Sequence, residues 1–167
     1  SNLSGPQDLI DEFIDKIKYI CDKDLVWNFG LFTSIESWGK HAEYMRDGMD
    51  TDKFWSNCEN FLQQVPKGSL TLMSTYNATS VFSFDQVIER AADYKRRFYN
   101  GKRYRHYACM LDISYIRQPE FLQLRILPTD LLQKCHEHLA LMEKHSEEHY
   151  GNIFKHGHVG FYDFERE

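Results

Sequence analysis

A chain of 167 residues, 42% apolar and 15% aromatic, has the length of one domain and too much nonpolar surface to stay disordered. Its 20 basic against 25 acidic side chains leave a net charge of −5, which excludes a general electrostatic pull toward nucleic acid or anionic lipid. No apolar stretch reaches the length of a membrane span, and the first residues lack the basic-then-apolar order of a signal peptide; a soluble, cytoplasmic protein with no membrane partner is expected.

Taken in order, the chain opens with Ser1 rather than Met and runs almost at once into a helix signal, so it is expected to be a fragment. Ser4 with Gln7 three residues later forms a capping-box pattern, Pro6 suits the first turn, and Leu9, Ile10, Phe13, Ile14, Ile17 and Ile20 make one apolar stripe. Residues 25–33, LVWNFGLFT, are a near-continuous apolar run of the kind expected of a parallel strand covered on both faces. A polar, glycine-punctuated loop follows, with Ser34 at the carboxyl end of the strand and Glu36 just beyond it. Ligands of α/β sheets bind at the carboxyl ends of strands, so these side chains stand where chemistry is expected. Glu43 and Arg46 are three apart, which on a helical turn gives either a surface ion pair or a guanidinium presented to a ligand carboxylate.

A second helix is predicted over 52–64, with Phe54, Cys58, Phe61 and Leu62 inward, ended by Pro66-Lys67-Gly68. A second strand over 69–76 finishes in small polar residues with Asn77 at its tip, and Ser83 with Gln86 caps a helix whose stripe is Phe84, Val87, Ile88, Ala91, Ala92 and Phe98. A third strand is predicted over 107–114. Strands and helices alternating in this way signal βαβ crossovers and a parallel sheet. The run FLQLRIL after Pro119 has the period of a half-exposed strand, and Pro128-Thr129 opens a last helix to about His149 with Leu131, Leu132, Cys135, Leu139 and Met142 on its apolar side.

Residues 95–107 cluster six Lys/Arg with interleaved aromatics, a pattern that can hold single-stranded nucleic acid. The preference of a helix end for cations and the turn at Asn100-Gly101 outweigh that reading. Near the other end, His136, His138, His145, His149, His156 and His158 gather; His145 and His149 are one helical turn apart, but HSEEH is not the HExxH of a zinc protease, and a solvated helix face is the simpler expectation. Cys21, Cys58, Cys109 and Cys135 form neither a CxxC hook nor a disulfide framework and are expected to be reduced packing residues.

SNLS, PQDLIDEFIDKI, TSIESWGKHAEYMRDG, LMSTYNATSVFSFDQVIE and LDISYIRQPEFLQLRILP, in that order and spacing over roughly residues 1–130, together resemble the latter part of the radical SAM barrel in twitch-type proteins of that superfamily. The resemblance implies an α/β fold, a partial (β/α) barrel with parallel strands over residues 1–128 and a helical extension and tail over 129–167. It implies S-adenosylmethionine at the strand carboxyl ends, beside a [4Fe-4S] cluster, reduced by a flavodoxin or ferredoxin, with a peptide or small molecule as substrate. Carried over by position, Ser34 and Glu36 match polar and acidic contacts at the end of a strand, Arg46 matches a basic residue that meets the SAM carboxylate, and Asn2 and Asn77 match polar strand tips.

This sequence departs from the family pattern in lacking both the CxxxCxxC loop and the Gly-Gly-Glu segment that meets the SAM amino group. One iron must be left for SAM to chelate, which needs three clustered thiolates; the chain alone is therefore expected to be inactive, a part of an enzyme that generates a 5′-deoxyadenosyl radical. A noncatalytic α/β interaction domain and a His-rich metal-binding protein are the alternatives.

Overall fold

The structure is a computed structural model that describes residues 3–99 and 108–150, the side chains of 147–150 excepted. Its elements follow the order α1 (Gln7–Asp22), β1 (Phe29–Ser34), α2 (Gly39–Met45), α3 (Thr51–Gln64), β2 (Gly68–Tyr76), a 3-10 turn (Ser80–Phe82), α4 (Phe84–Phe98), β3 (Cys109–Tyr115), two further 3-10 turns (Glu120–Leu122 and Leu124–Ile126) and α5 (Thr129–Tyr150). The three strands are parallel and lie in the order β1-β2-β3, with Leu31 level with Leu70 and Leu70 level with Cys109. The fold is thus mixed α/β around an open parallel sheet.

Because side chains alternate along a strand, this register sorts the sheet into two unlike faces. One carries Phe29, Leu31, Gly68, Leu70, Leu72, Tyr76, Cys109 and Leu111. Four helices pack on it: Phe29 meets Phe13 of α1 and Phe61 of α3, Tyr76 meets Phe84 of α4, and Tyr76 also meets His138 of α5. Ile14, Phe54, Phe61, Leu62, Val87 and Tyr94 complete this core. The other face carries Gly30, Phe32, Ser34, Thr71, Met73, Asp112 and Ser114, and among the described residues it is only partly covered: Thr71 is buried, whereas Phe32 is 56% and Met73 43% exposed.

That partly covered face corrects the expectation that the first strand is covered on both sides. The apolar run reads as fully buried only because Phe32 and Trp27 are apolar without being inside, at 56% and 82% exposure. The strand also starts later than its apolar run suggests. Asp24 takes a positive φ of 53°, Asp24 N–H donates to Cys21 O and Leu25 N–H to Ile20 O, so residues 23–25 close α1 as a Schellman cap instead of extending. Leu25 and Trp27 are left in solvent, as is Leu9, which falls off the buried stripe of α1.

Other local expectations changed for identifiable reasons. Pro6, not Ser4, is the N-cap of α1, with no side-chain cap bond, and Gln7 instead reaches Asp11 and Asn57 at 2.8 Å each. The run FLQLRIL forms two 3-10 turns rather than a strand: Leu122 N–H bonds back to Pro119 O and Leu127 N–H to Leu124 O. Pro119 and Pro128 bracket the segment, and the backbone bond from Ala78 N–H to Leu122 O at 2.8 Å is too little to make a ladder. Among the described residues no helix is long and apolar enough to cross a membrane.

Candidate functional site

The carboxyl ends of β1 and β2 come together with α2 to form a polar rim. Ser34 ends β1 on the second face, half-buried, and Ile35 N–H continues the ladder to Met73 O at 3.0 Å. Ser74 Oγ donates to Ile35 O, which pins the turn beyond the strand. The next residues are drawn inward: Glu36 is 8% exposed and Ser37 fully buried. What the sequence presents as a plain loop then contains α2, and positive-φ glycines bound it, Gly39 at its first residue and Gly48 after its end.

Arg46 is the C-cap of α2, with extended backbone, and this fixes its partner. Its guanidinium turns back across the loop to the Glu36 carboxylate in a bidentate fork, Nε to Oε2 at 2.5 Å and Nη2 to Oε1. The bond to Glu36 raises the Arg46 pKa against the opposing effect of its burial. Glu43, three residues before Arg46, pairs instead with Lys40 at 2.8 Å and accepts from Thr51 Oγ1 at 3.0 Å. Of the two readings of the Glu43–Arg46 spacing, the ion pair does not form, since Arg46 has left helical geometry and no longer shares a face with Glu43. Glu36 occupies one edge of the fork and leaves Nη1 and the second Nη2 hydrogen for another acceptor.

Of the other sequence-predicted residues, Asn77 sits at the tip of β2, beside β1, with its amide engaged locally. Oδ1 accepts from Thr79 N–H at 3.0 Å and Thr79 Oγ1 at 2.6 Å, and Nδ2 donates to Thr75 O at 2.9 Å. Asn2 lies outside the described residues. So Glu36 and Arg46 are brought into contact, Ser34 stands two residues from Glu36, and Asn77 caps the neighbouring strand.

Several contributors were not legible in the sequence. Ser83, placed just before α4 like a helix cap, makes no capping bond; its Oγ lies 2.7 Å from Ser37 Oγ, accepts from Trp38 N–H at 3.1 Å and meets His41 Nδ1 at 3.1 Å. This buried serine pair ties the rim loop to α4. Next to it a small cleft of about 230 Å³ is lined by His41, Tyr44, Met45, Thr79 and Phe82. On the other side of β2, Tyr76 Oη lies 2.8 Å from Nδ1 of the buried His138 and donates to Cys135 Sγ at 3.6 Å. Burial pushes the Tyr76 hydroxyl up and the His138 imidazole down. No short-range spacing relates residues so far apart in the chain.

The donor set for an iron–sulfur cluster does not fit. Cys21 lies on α1, Cys58 on α3, Cys109 on β3 and Cys135 on α5, all as free thiols, the first three buried in the core away from the rim. Burial holds Cys58 well above the ordinary thiol range and pushes Cys109 up to about 12, the reverse of what a thiolate ligand requires. Among the described residues, no three His, Cys, Asp or Glu side chains are grouped to hold a metal, and His145 Nε2 faces Glu89 at 3.0 Å. His156 and His158, and the His149 side chain, lie outside the described residues. The same is true of residues 100–107 of the basic cluster; in its described part Arg97 is held by Asp93 and Glu59, and burial lowers the Lys95 pKa. Comparison of the chain with protein-family models, with curated proteins and with solved structures finds no match.

Proposed function

We propose that this chain is a sector of a radical SAM (β/α) barrel and that its rim at Ser34, Glu36 and Arg46 binds S-adenosylmethionine. The observation that carries the reading is topological. Three parallel strands in sequential order, with α1, α3, α4 and α5 packed on one face, suit a barrel sector whose second face looks into the barrel interior. The Arg46 guanidinium, oriented by Glu36, offers its remaining N–H donors to a ligand carboxylate at the favoured end of the strands. The sequence carries no CxxxCxxC segment, so the activity proposed for this chain is cofactor binding and not radical generation.

A second reading has one observation in its favour: exposed Phe32 and Met73 on one sheet face suit an α/β interaction domain. Titration calorimetry with S-adenosylmethionine separates the two. Arg46→Ala is expected to weaken binding by about tenfold, the order of one charge-assisted contact of ~1.5 kcal/mol, while Lys40→Ala, whose side chain is 95% exposed, leaves it unchanged. Equal affinities for the two variants, or no saturable binding by the unaltered chain, would favour the interaction domain.

A further inference from the structure

A second cavity, of about 520 Å³, opens at the carboxyl ends of β2 and β3 beneath the loop that carries the two later 3-10 turns. Its lining is chemically divided. Tyr76, Tyr115, Ile116 and Leu124 give flat and apolar walls, and Arg117, Gln123 and Arg125 give donors. The walls are held in place: the Tyr76 hydroxyl is fixed by His138, Ile116 N–H bonds to Tyr76 O at 3.3 Å, and Gln123 Nε2 donates to Arg117 O. The volume lies within the range of small-molecule sites, roughly 300–1,000 Å³.

The two arginines differ in what already holds them. Arg125 is paired with Glu120 at 3.0 Å, both side chains largely exposed, a contact that solvent screens to little energy. Arg117 has its guanidinium 5.9 Å from the centroid of the Tyr115 ring, and among the described residues no carboxylate lies within ion-pair distance of it. A guanidinium over a ring keeps its in-plane N–H groups for an anion. Two cations against one exposed carboxylate leave the cavity mouth net positive in a chain that is acidic as a whole.

We infer that this cavity binds a small organic anion, a phosphate monoester or carboxylate carried on an aromatic or apolar body, with Arg117 as its principal charge contact and Arg125 as the second. The site is distinct in residues from the Ser34, Glu36 and Arg46 rim and does not depend on the cofactor reading.

Titration calorimetry with phenyl phosphate and with benzoate tests the inference, with inorganic phosphate as the bare anion. Arg117→Gln and Arg125→Gln both alter exposed side chains and leave the core untouched; Arg96→Gln on α4 removes the same charge at a distance. Saturable binding of phenyl phosphate, weakened about tenfold by Arg117→Gln and less by Arg125→Gln but unchanged in Arg96→Gln, is the expected result. The same pattern with benzoate instead supports the site and identifies its natural anion as a carboxylate. Binding of neither probe, equal loss in all three variants, or inorganic phosphate binding as tightly as phenyl phosphate would overturn it.

Discussion

At the scale of single residues the Glu36–Arg46 fork and the Tyr76–His138 pair set the chemistry. The Glu36 side chain is 11% and the Arg46 side chain 32% exposed, so the fork is only partly screened, and removing one partner strands the other. Arg46→Ala should therefore cost about 1–3 kcal/mol of stability by leaving a nearly buried carboxylate without its cation. Glu36→Gln in the same chain should recover part of that loss, as read from urea midpoints in a double-mutant cycle; strictly additive losses would mean the two side chains do not act as a pair. His138 gives a pH prediction with a definite sign. Burial, opposed by the charge of Asp85 and aided by that of Lys134, holds its imidazole below the ordinary value, so the unfolded chain takes up the proton first. Stability is then full above about pH 6.5 and declines as pH falls from there through the lowered folded value. The melting temperature should drop more between pH 7.5 and 5 in the unaltered chain than in His138→Gln; identical slopes would show that His138 does not titrate across unfolding.

At the scale of elements, the close approach of α3 to the start of β2 depends on Gly68. A Cβ there would lie 2.7 Å from Phe61 Cζ and 3.1 Å from Val65 O, and Phe61 and Val65 are fully buried. Gly68→Ala should lower the urea midpoint by about 1–3 kcal/mol of stability with an unchanged slope; an unchanged midpoint would mean the α3–β2 corner yields freely. The sequence showed the helices well, because stripes such as Ile10, Ile14, Ile17 and Phe84, Val87, Ile88, Ala91 are local periodic signals that the core then uses. It also placed Ser34 and Asn77 at strand ends. It misled where a residue's partner is remote or its backbone leaves the assumed geometry: Arg46 turned to Glu36, Ser83 to Ser37, and the alternating 121–127 segment into 3-10 turns between two prolines. Apolar composition alone could not say that Phe32 faces outward, since the side a crossover helix covers is a property of topology.

At the scale of the whole molecule, the second face of the sheet presents apolar side chains among the described residues, with Phe32 56% and Met73 43% exposed. Exposed apolar side chains grouped on one face mark an association surface, and the described strand β1, FGLFTS, contributes no charged side chain to it. The isolated chain should self-associate, and Phe32→Lys should shift it toward monomer in size-exclusion chromatography with light scattering; a monomer before and after the substitution would mean the face is protected by other means. The same face and its polar rim are the reason for reading the chain as a barrel sector that binds S-adenosylmethionine, and hydrogen–deuterium exchange with and without that ligand tests this most directly, since it tolerates self-association. Protection should rise in peptides covering 33–37, 45–50 and 75–79 and stay unchanged along α1 and the outer surface of α4. Unaltered exchange at the rim, or protection spread evenly over the chain, would contradict it.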